Sequence, residues 1–256
     1  MRKRLAATIG ATLALSVVQA SVIGAPARPI ARPSPLTAMG QCLNPPPSTA
    51  GQGGIETAVV STTTGVVSRV YTKNPELCHQ LQDVITSGSA SWVMLMNLSS
   101  GRYYQVGNKK VPGDTCPHMY MEYNDDPTFV RDVSPTCTSS STWHRFDLKK
   151  INGLWYARVF LDSTNQLLYS AEYNPPILWS IAESQYASEV LNGGKDQSGG
   201  LSASRLTFDA ARWYTSTGTI VWADMQGSER VCILCPPYHS QWYDGNTFEV
   251  WTDAST

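Results

Sequence analysis

The chain has 256 residues and a formal net charge of −1, from 19 Lys plus Arg against 20 Asp plus Glu. That length suits one large domain or two small ones. The balanced charge leaves no basic stripe to grip phosphates, which argues against a nucleic-acid partner held that way.

The N-terminus carries an export pattern. "MRKR" is a basic start, residues 5–18 form an apolar stretch of secretory length, and "VQA" ending at Ala20 fits a small-x-small cleavage site. A single membrane anchor is the other reading, but no second apolar stretch or stop-transfer pattern follows. Residues 21–52 are rich in Pro and Gly and read as a linker or pro-segment. Roughly 200 residues remain, which suits a single all-β domain. The expected division is a signal peptide over 1–20, the linker over 21–52, a β-sandwich over 53–225 and a Cys-containing extension over 226–256. The expected location is outside the cell or in its envelope. No long amphipathic helix gives the mature form a reason to sit on a membrane, and it is expected to be a monomer.

Strand signals then follow in order. "IETAVVSTTTGVVSRVYT" is β-branched, with Gly65 as a turn or bulge. "NPELCHQLQDVIT" is the one helical pattern, with a proline in its first turn and Leu77, Leu81 and Val84/Ile85 on one face. "SWVMLMNL" and "RYYQVG" flank the hairpin turn "SSG". "HMYMEYN" alternates and stops at "DDP"; "WHRFDLKK" and "LWYARVFLD" flank "ING". "LLYSAEY" ends at "NPP", "ILWSIAESQY" is extended in composition, and "NGGKDQSGG" is a loop. "SRLTFDAARWY" and "GTIVWADM" complete the series, and residues 226–256 form either an extra strand pair or a stapled tail. Strands at this spacing, joined by Gly/Asn/Asp turns, predict an antiparallel sandwich or jelly roll with one short helix.

Cys42, Cys78, Cys116, Cys137, Cys232 and Cys235 make an even count in an exported chain, which predicts up to three disulfides. Six cysteines allow 15 pairings, among which Cys116 with Cys137 is attractive because a hairpin could bring them together. Cys232, Cys235 and His239 have metal-like spacing but supply only three ligands, so a disulfide is the preferred use and no metal or other cofactor is expected. There is no GxSxG, Walker or HExxH motif, and the four histidines sit in unrelated contexts.

That leaves strand carboxylates and their neighbours. Successive side chains of a strand alternate faces. Glu183 therefore shares a face with Trp179, Ile181 and Gln185, apolar company that desolvates a carboxyl and suits it to proton exchange. Gln105 shares a face with Tyr103 and Gly107, and Gly107 is expected to leave room for a substrate backbone. Glu122 and Glu172 fit ordinary solvated sheet faces.

Several stretches taken in order resemble the glutamic peptidase (eqolisin) family and its secreted bacterial relatives. "SWVML" resembles the family's Trp-Val strand, with Trp92 on its tryptophan, and "YYQVG" places Gln105 on the catalytic glutamine. "YMEYNDDP" resembles its aromatic-Glu-aromatic segment through Glu122, and "SIAESQY" places Glu183 on the catalytic glutamate. "SRLTFDAARW" resembles the strand after it. The separations, 13 residues from Trp92 to Gln105 and 78 from there to Glu183, are close to the family's. The family's Trp-Val strand continues with Gly and Asp, where this chain has Met94 and Met96. The resemblance covers residues 55–225 and implies a concanavalin-like two-sheet sandwich. It also implies a Gln/Glu pair that cuts peptides, with Gln105 and Glu183 catalytic; Trp92 and Glu122 from the resemblance, and Tyr103 and Trp179 from strand alternation, are the residues expected to contact substrate. The alternative is a non-catalytic secreted module that binds carbohydrate on aromatic platforms, since the chain has 8 Trp and 12 Tyr.

Overall fold

Turn chemistry sets the hairpins. The computed structural model describes residues 51–59, 63–77, 88–97, 100–125, 127–174, 182–190, 199–222, 229–233, 238–244 and 246–252. Strand β1 (Gly51–Val59) precedes β2 (Gly65–Thr72), and Gly65 proves to be the first residue of a strand. β3 (Ser89–Met96) and β4 (Tyr103–Lys110) form the hairpin expected around "SSG", closed by Asn97 N–H donating to Arg102 O at 2.8 Å. β5 (His118–Asp125) and β6 (Thr128–Cys137) follow. β7 (Thr142–Ile151) and β8 (Leu154–Leu161) are joined by Asn152 and Gly153 at φ 52° and 88°. Two successive left-handed residues are what a type I′ turn demands, and Asn-Gly meets that need.

β9 (Gln166–Glu172), β10 (Ala182–Val190), β11 (Gly200–Leu201), β12 (Ser204–Tyr214) and β13 (Ile220–Trp222) carry the chain onward. β14 (Glu229–Ile233), β15 (Tyr238–Asp244) and β16 (Thr247–Thr252) end it. The stretch set apart as a C-terminal extension thus supplies three strands. β14 pairs with β1 at the edge of one sheet, and β16 pairs with β12 in the other.

The first sheet has seven strands in the order β14-β1-β10-β3-β4-β5-β6. The second has nine, ordered β15-β16-β11-β12-β2-β7-β8-β9 with β13 added on β12. Pairing is antiparallel apart from one parallel contact, Leu201 with Thr252. This is the two-sheet antiparallel β-sandwich that the strand pattern and the resemblance imply. Its core lies between the sheets. Val93, Leu95, Tyr104, Val106, Tyr123 and Tyr186 of the first sheet meet Val66, Phe146, Leu148, Trp155, Phe208 and Phe248 of the second. Phe208 and Phe248 stack with centroids 4.6 Å apart.

No helix occurs among the described residues. Residues 74–77 are irregular, and the rest of the expected helix lies outside the described residues, as does the export segment and most of the linker. No described helix is long and apolar enough to cross a membrane. β6 is a strand the sequence hid. Pro135 lies in it, and its residues are mostly exposed, so it lacks the buried alternation of a central strand. Both are allowed because it is an edge.

Cys116 and Cys137 form the disulfide expected of them, with Cα atoms 5.7 Å apart. It ties the approach to β5 to the end of β6. Cys42, Cys78 and Cys235 lie outside the described residues, as does the side chain of Cys232.

Candidate functional site

The first sheet has two buried faces. Tyr104, Val106, Val93, Leu95 and Tyr186 point into the core. The alternate residues make a second apolar cluster on the opposite face, centred on Trp92, Met94, Tyr120 and Ala187, with Ala90, Met96 and Tyr103 packed against it. Every described residue expected in the site belongs to this second face.

Strand register lays them out in rows. One row reads Gln185, Met94, Gln105, Glu122, Arg131 across β10, β3, β4, β5 and β6. The row beside it reads Glu183, Met96, Tyr103, Asn124, Phe129. On the other side run Ala187, Trp92, Gly107, Tyr120, Val133. Gln105 and Glu183 are therefore two strands and two residues apart, which places their Cα atoms ~12 Å from each other on ordinary sheet spacing. Met94 stands between Gln105 and Gln185, and Met96 between Tyr103 and Glu183.

The polar groups on this face are buried: Gln105 is 5% exposed, and Glu122 and Glu183 are 6%. Buried polar groups normally find partners. Glu183 accepts a hydrogen bond from Gln185 Nε2 at 2.6 Å, and the same nitrogen lies 3.8 Å from Met96 Sδ. Glu122 accepts from the Tyr103 hydroxyl at 2.5 Å and from Arg131 Nε and Nη2 at 2.6 Å. Burial, and then the charge of Glu122, push the Tyr103 hydroxyl far above its ordinary range, so it remains a donor. Gln105 is different. Among the described residues its carboxamide has no hydrogen-bond partner.

The structure thus brings Gln105, Tyr103 and Glu122 into contact range of one another along β4 and β5, with Trp92 one row away. It puts Glu183 at the β10 end of the same face. Trp179 lies outside the described residues. The expected role of Gly107 is corrected. A Cβ there would collide with the backbone carbonyl of Ser91 and lie 2.7 Å from Trp92 Cα. The glycine admits the neighbouring strand of its own sheet, and substrate access is not its reason.

Sequence reasoning missed three members of this face: Arg131, Lys109 and Glu189. Arg131 was hidden because β6 was not recognised. Lys109 and Glu189 follow from simple alternation, four residues beyond Gln105 and six beyond Glu183. Glu189 and Lys109 flank Ala90 in the next row. Burial, then Glu122, push the Glu189 carboxyl up from 4.5 to about 7; the Trp92 indole N–H, Lys109 and Arg131 pull the other way.

The other metal-like grouping among the described residues is Cys116, His118 and Cys137, whose ligand atoms lie within 4.8 Å of one another. Its two sulfurs are joined in the disulfide, which removes them as thiolate ligands.

No family model matches this sequence, and no curated protein does either. Solved structures do match the fold. Scytalido-glutamic peptidase, determined with a transition state analog inhibitor, aligns over 79% of this chain and 98% of its own, at 14% identity and a TM-score of 0.56. SCP-B, a member of the eqolisin family of peptidases determined with the tripeptide Ala-Ile-His, aligns over 79% of this chain and 98% of its own, at 12% identity and a TM-score of 0.53. The chain therefore has the sandwich fold of the glutamic peptidases, as the resemblance implied.

Proposed function

We propose that this protein is a hydrolase of the glutamic-peptidase kind, acting on peptide bonds outside the cell with Glu183 and Gln105 as its working pair. The observation that carries this reading is the strand register, which sets Gln105 and Glu183, 5% and 6% exposed, on one face of the first sheet. Glu183 takes a proton from a water molecule as the water oxygen bonds to the scissile carbonyl carbon. The carbonyl oxygen becomes an oxyanion and accepts a hydrogen bond from the Gln105 amide. The C–N bond then breaks, and Glu183 passes the proton to the leaving amine. Gln185 holds Glu183 in place through its 2.6 Å hydrogen bond. The ~12 Å Cα separation is a span that two side chains leaning together and one water can bridge.

Met94 and Met96 support a second reading, a secreted module that binds a peptide or glycan without cutting it. Their side chains are packed in the apolar cluster between the two residues of the pair. One experiment separates the readings. Purified protein is incubated with a denatured protein substrate between about pH 3 and pH 6, the range in which carboxyl groups titrate. Cleavage that is lost in both Glu183→Gln and Gln105→Ala, each still folded, supports the hydrolase. No cleavage by the wild type anywhere in that range removes it and leaves the binding module.

A further inference from the structure

The buried face does not end at Gln105. Along β4 it runs past Gly107 to Lys109, four residues and ~13 Å from Gln105. There it opens into a surface cavity of about 410 Å³ lined by Lys109, His118 and Arg131, with Asp114, Val133 and Pro135 among its other walls. Three of its groups carry or can take positive charge.

Lys109 is the telling member. It is partly buried, and its ammonium lies over the ring of Tyr120 at 5.3 Å from the centroid. Among the described residues no carboxylate is within ion-pair distance of it and no hydrogen bond engages it; Glu122, Glu189 and Asp114 act on it only at longer range. Burial, then the charge of Arg131, lower its pKa, and Glu122, Glu189 and Asp114 pull the other way. Arg131 lines the same cavity and reaches back to the Glu122 carboxylate in the Gln105 row. His118 Nδ1 is set 3.0 Å from Ser134 O, which leaves Nε2, 3.8 Å from Asp114, on the other side of the ring. The Cys116–Cys137 disulfide braces the wall of β6 that carries Val133 and Pro135.

We propose that this cavity is a recognition subsite for a carboxylate of the peptide substrate, with Lys109 as its principal donor. This rests on the hydrolase reading and names its substrate class: peptides bearing an acidic group about four residues of extended chain from the bond cut. The carboxylate comes from an acidic side chain or from the peptide C-terminus, and the apolar wall at Val133 accepts the stem that carries it.

The test uses Glu183→Gln protein, so that binding is read without turnover. Fluorescent decapeptides with a single Glu placed at each position in turn, and their Gln counterparts, are made as C-terminal acids and as amides, and affinity is read by anisotropy. The expected result is about tenfold tighter binding of the carboxylate form, the scale of a charge-assisted hydrogen bond. Dependence on Glu identifies a side chain, and dependence on the free acid identifies the terminus. Lys109→Gln abolishes the difference and Lys109→Arg retains it, with both variants checked for folding by near-ultraviolet circular dichroism. The subsite is overturned if all the peptides bind alike, or if Lys109→Gln leaves the difference intact. Wild type that cuts nothing while the difference persists overturns the hydrolase reading alone. Wild type that cuts acidic and neutral peptides equally, with equal binding, overturns the subsite alone.

Discussion

Glu189 is the carboxylate on this face whose surroundings change its protonation. It sits on the site face with Glu122 near enough to repel it, and its carboxyl is pushed up from 4.5 to about 7. The folded protein therefore binds a proton between those values that the unfolded chain has released. Stability must fall as pH rises through that window. The prediction is that the thermal midpoint declines between about pH 5 and pH 7 and that Glu189→Gln flattens this part of the profile, because its amide does not titrate. A slope unchanged by the substitution would assign it elsewhere. At the same scale, Glu122 is neutralised from two sides, by Arg131 and the Tyr103 hydroxyl. Its contacts tie β4, β5 and β6 together.

The β5–β6 hairpin is the element on which the site's outer edge depends. β6 has β5 as its one neighbour in the sheet, and its register shifts between His118 and Tyr120. An edge strand with a proline and mostly exposed side chains gains little from burial. The Cys116–Cys137 bond, closing a separation of 21 residues, compensates by limiting the unfolded chain. Replacing both cysteines with Ser is expected to cost about 3 kcal/mol by the loop-entropy relation, read as a lowered denaturant midpoint. Fluorescence of a label near Arg131 should show the edge loosening before the core unfolds. In the second sheet the corresponding tie is ionic. Arg69 of β2 reaches Asp162 at 2.9 Å and Asp209 of β12 at 2.7 Å. Being partly exposed, it adds less than the disulfide does.

At the scale of the molecule, stability comes from the space between the sheets. Phe146 is fully buried there, in the middle of β7. Phe146→Ala is expected to destabilise by about 3–5 kcal/mol through lost burial and the cavity left behind. The denaturant midpoint should fall with the slope unchanged, and a changed slope would mean that the two-sheet unit no longer unfolds as one. Because the first sheet buries a second cluster on its other face, its strands are apolar on both sides. This explains why "WVMLM" in β3 is an unbroken apolar run rather than an alternation.

The sequence by itself showed most of the strands, the Asn152–Gly153 turn and the sandwich class, and it marked Cys116 and Cys137 as one pair a hairpin could close, because period, turn chemistry and hairpin closure are local properties of the chain. It also showed that Tyr103 and Gly107 share a strand face with Gln105, and Gln185 with Glu183. Only the tertiary structure decided what lies between those two strands. β3 runs between β4 and β10, bringing Met94 and Met96 into the rows of the candidate pair, and Gly107 is spent on the approach of β3. It likewise decided that Arg131, from an edge strand without periodicity, neutralises Glu122, and that Lys109 has no counter-ion of its own among the described residues. Such facts depend on non-local strand order and register. Neighbouring rows are set by residues far apart in the chain, and no local pattern encodes them.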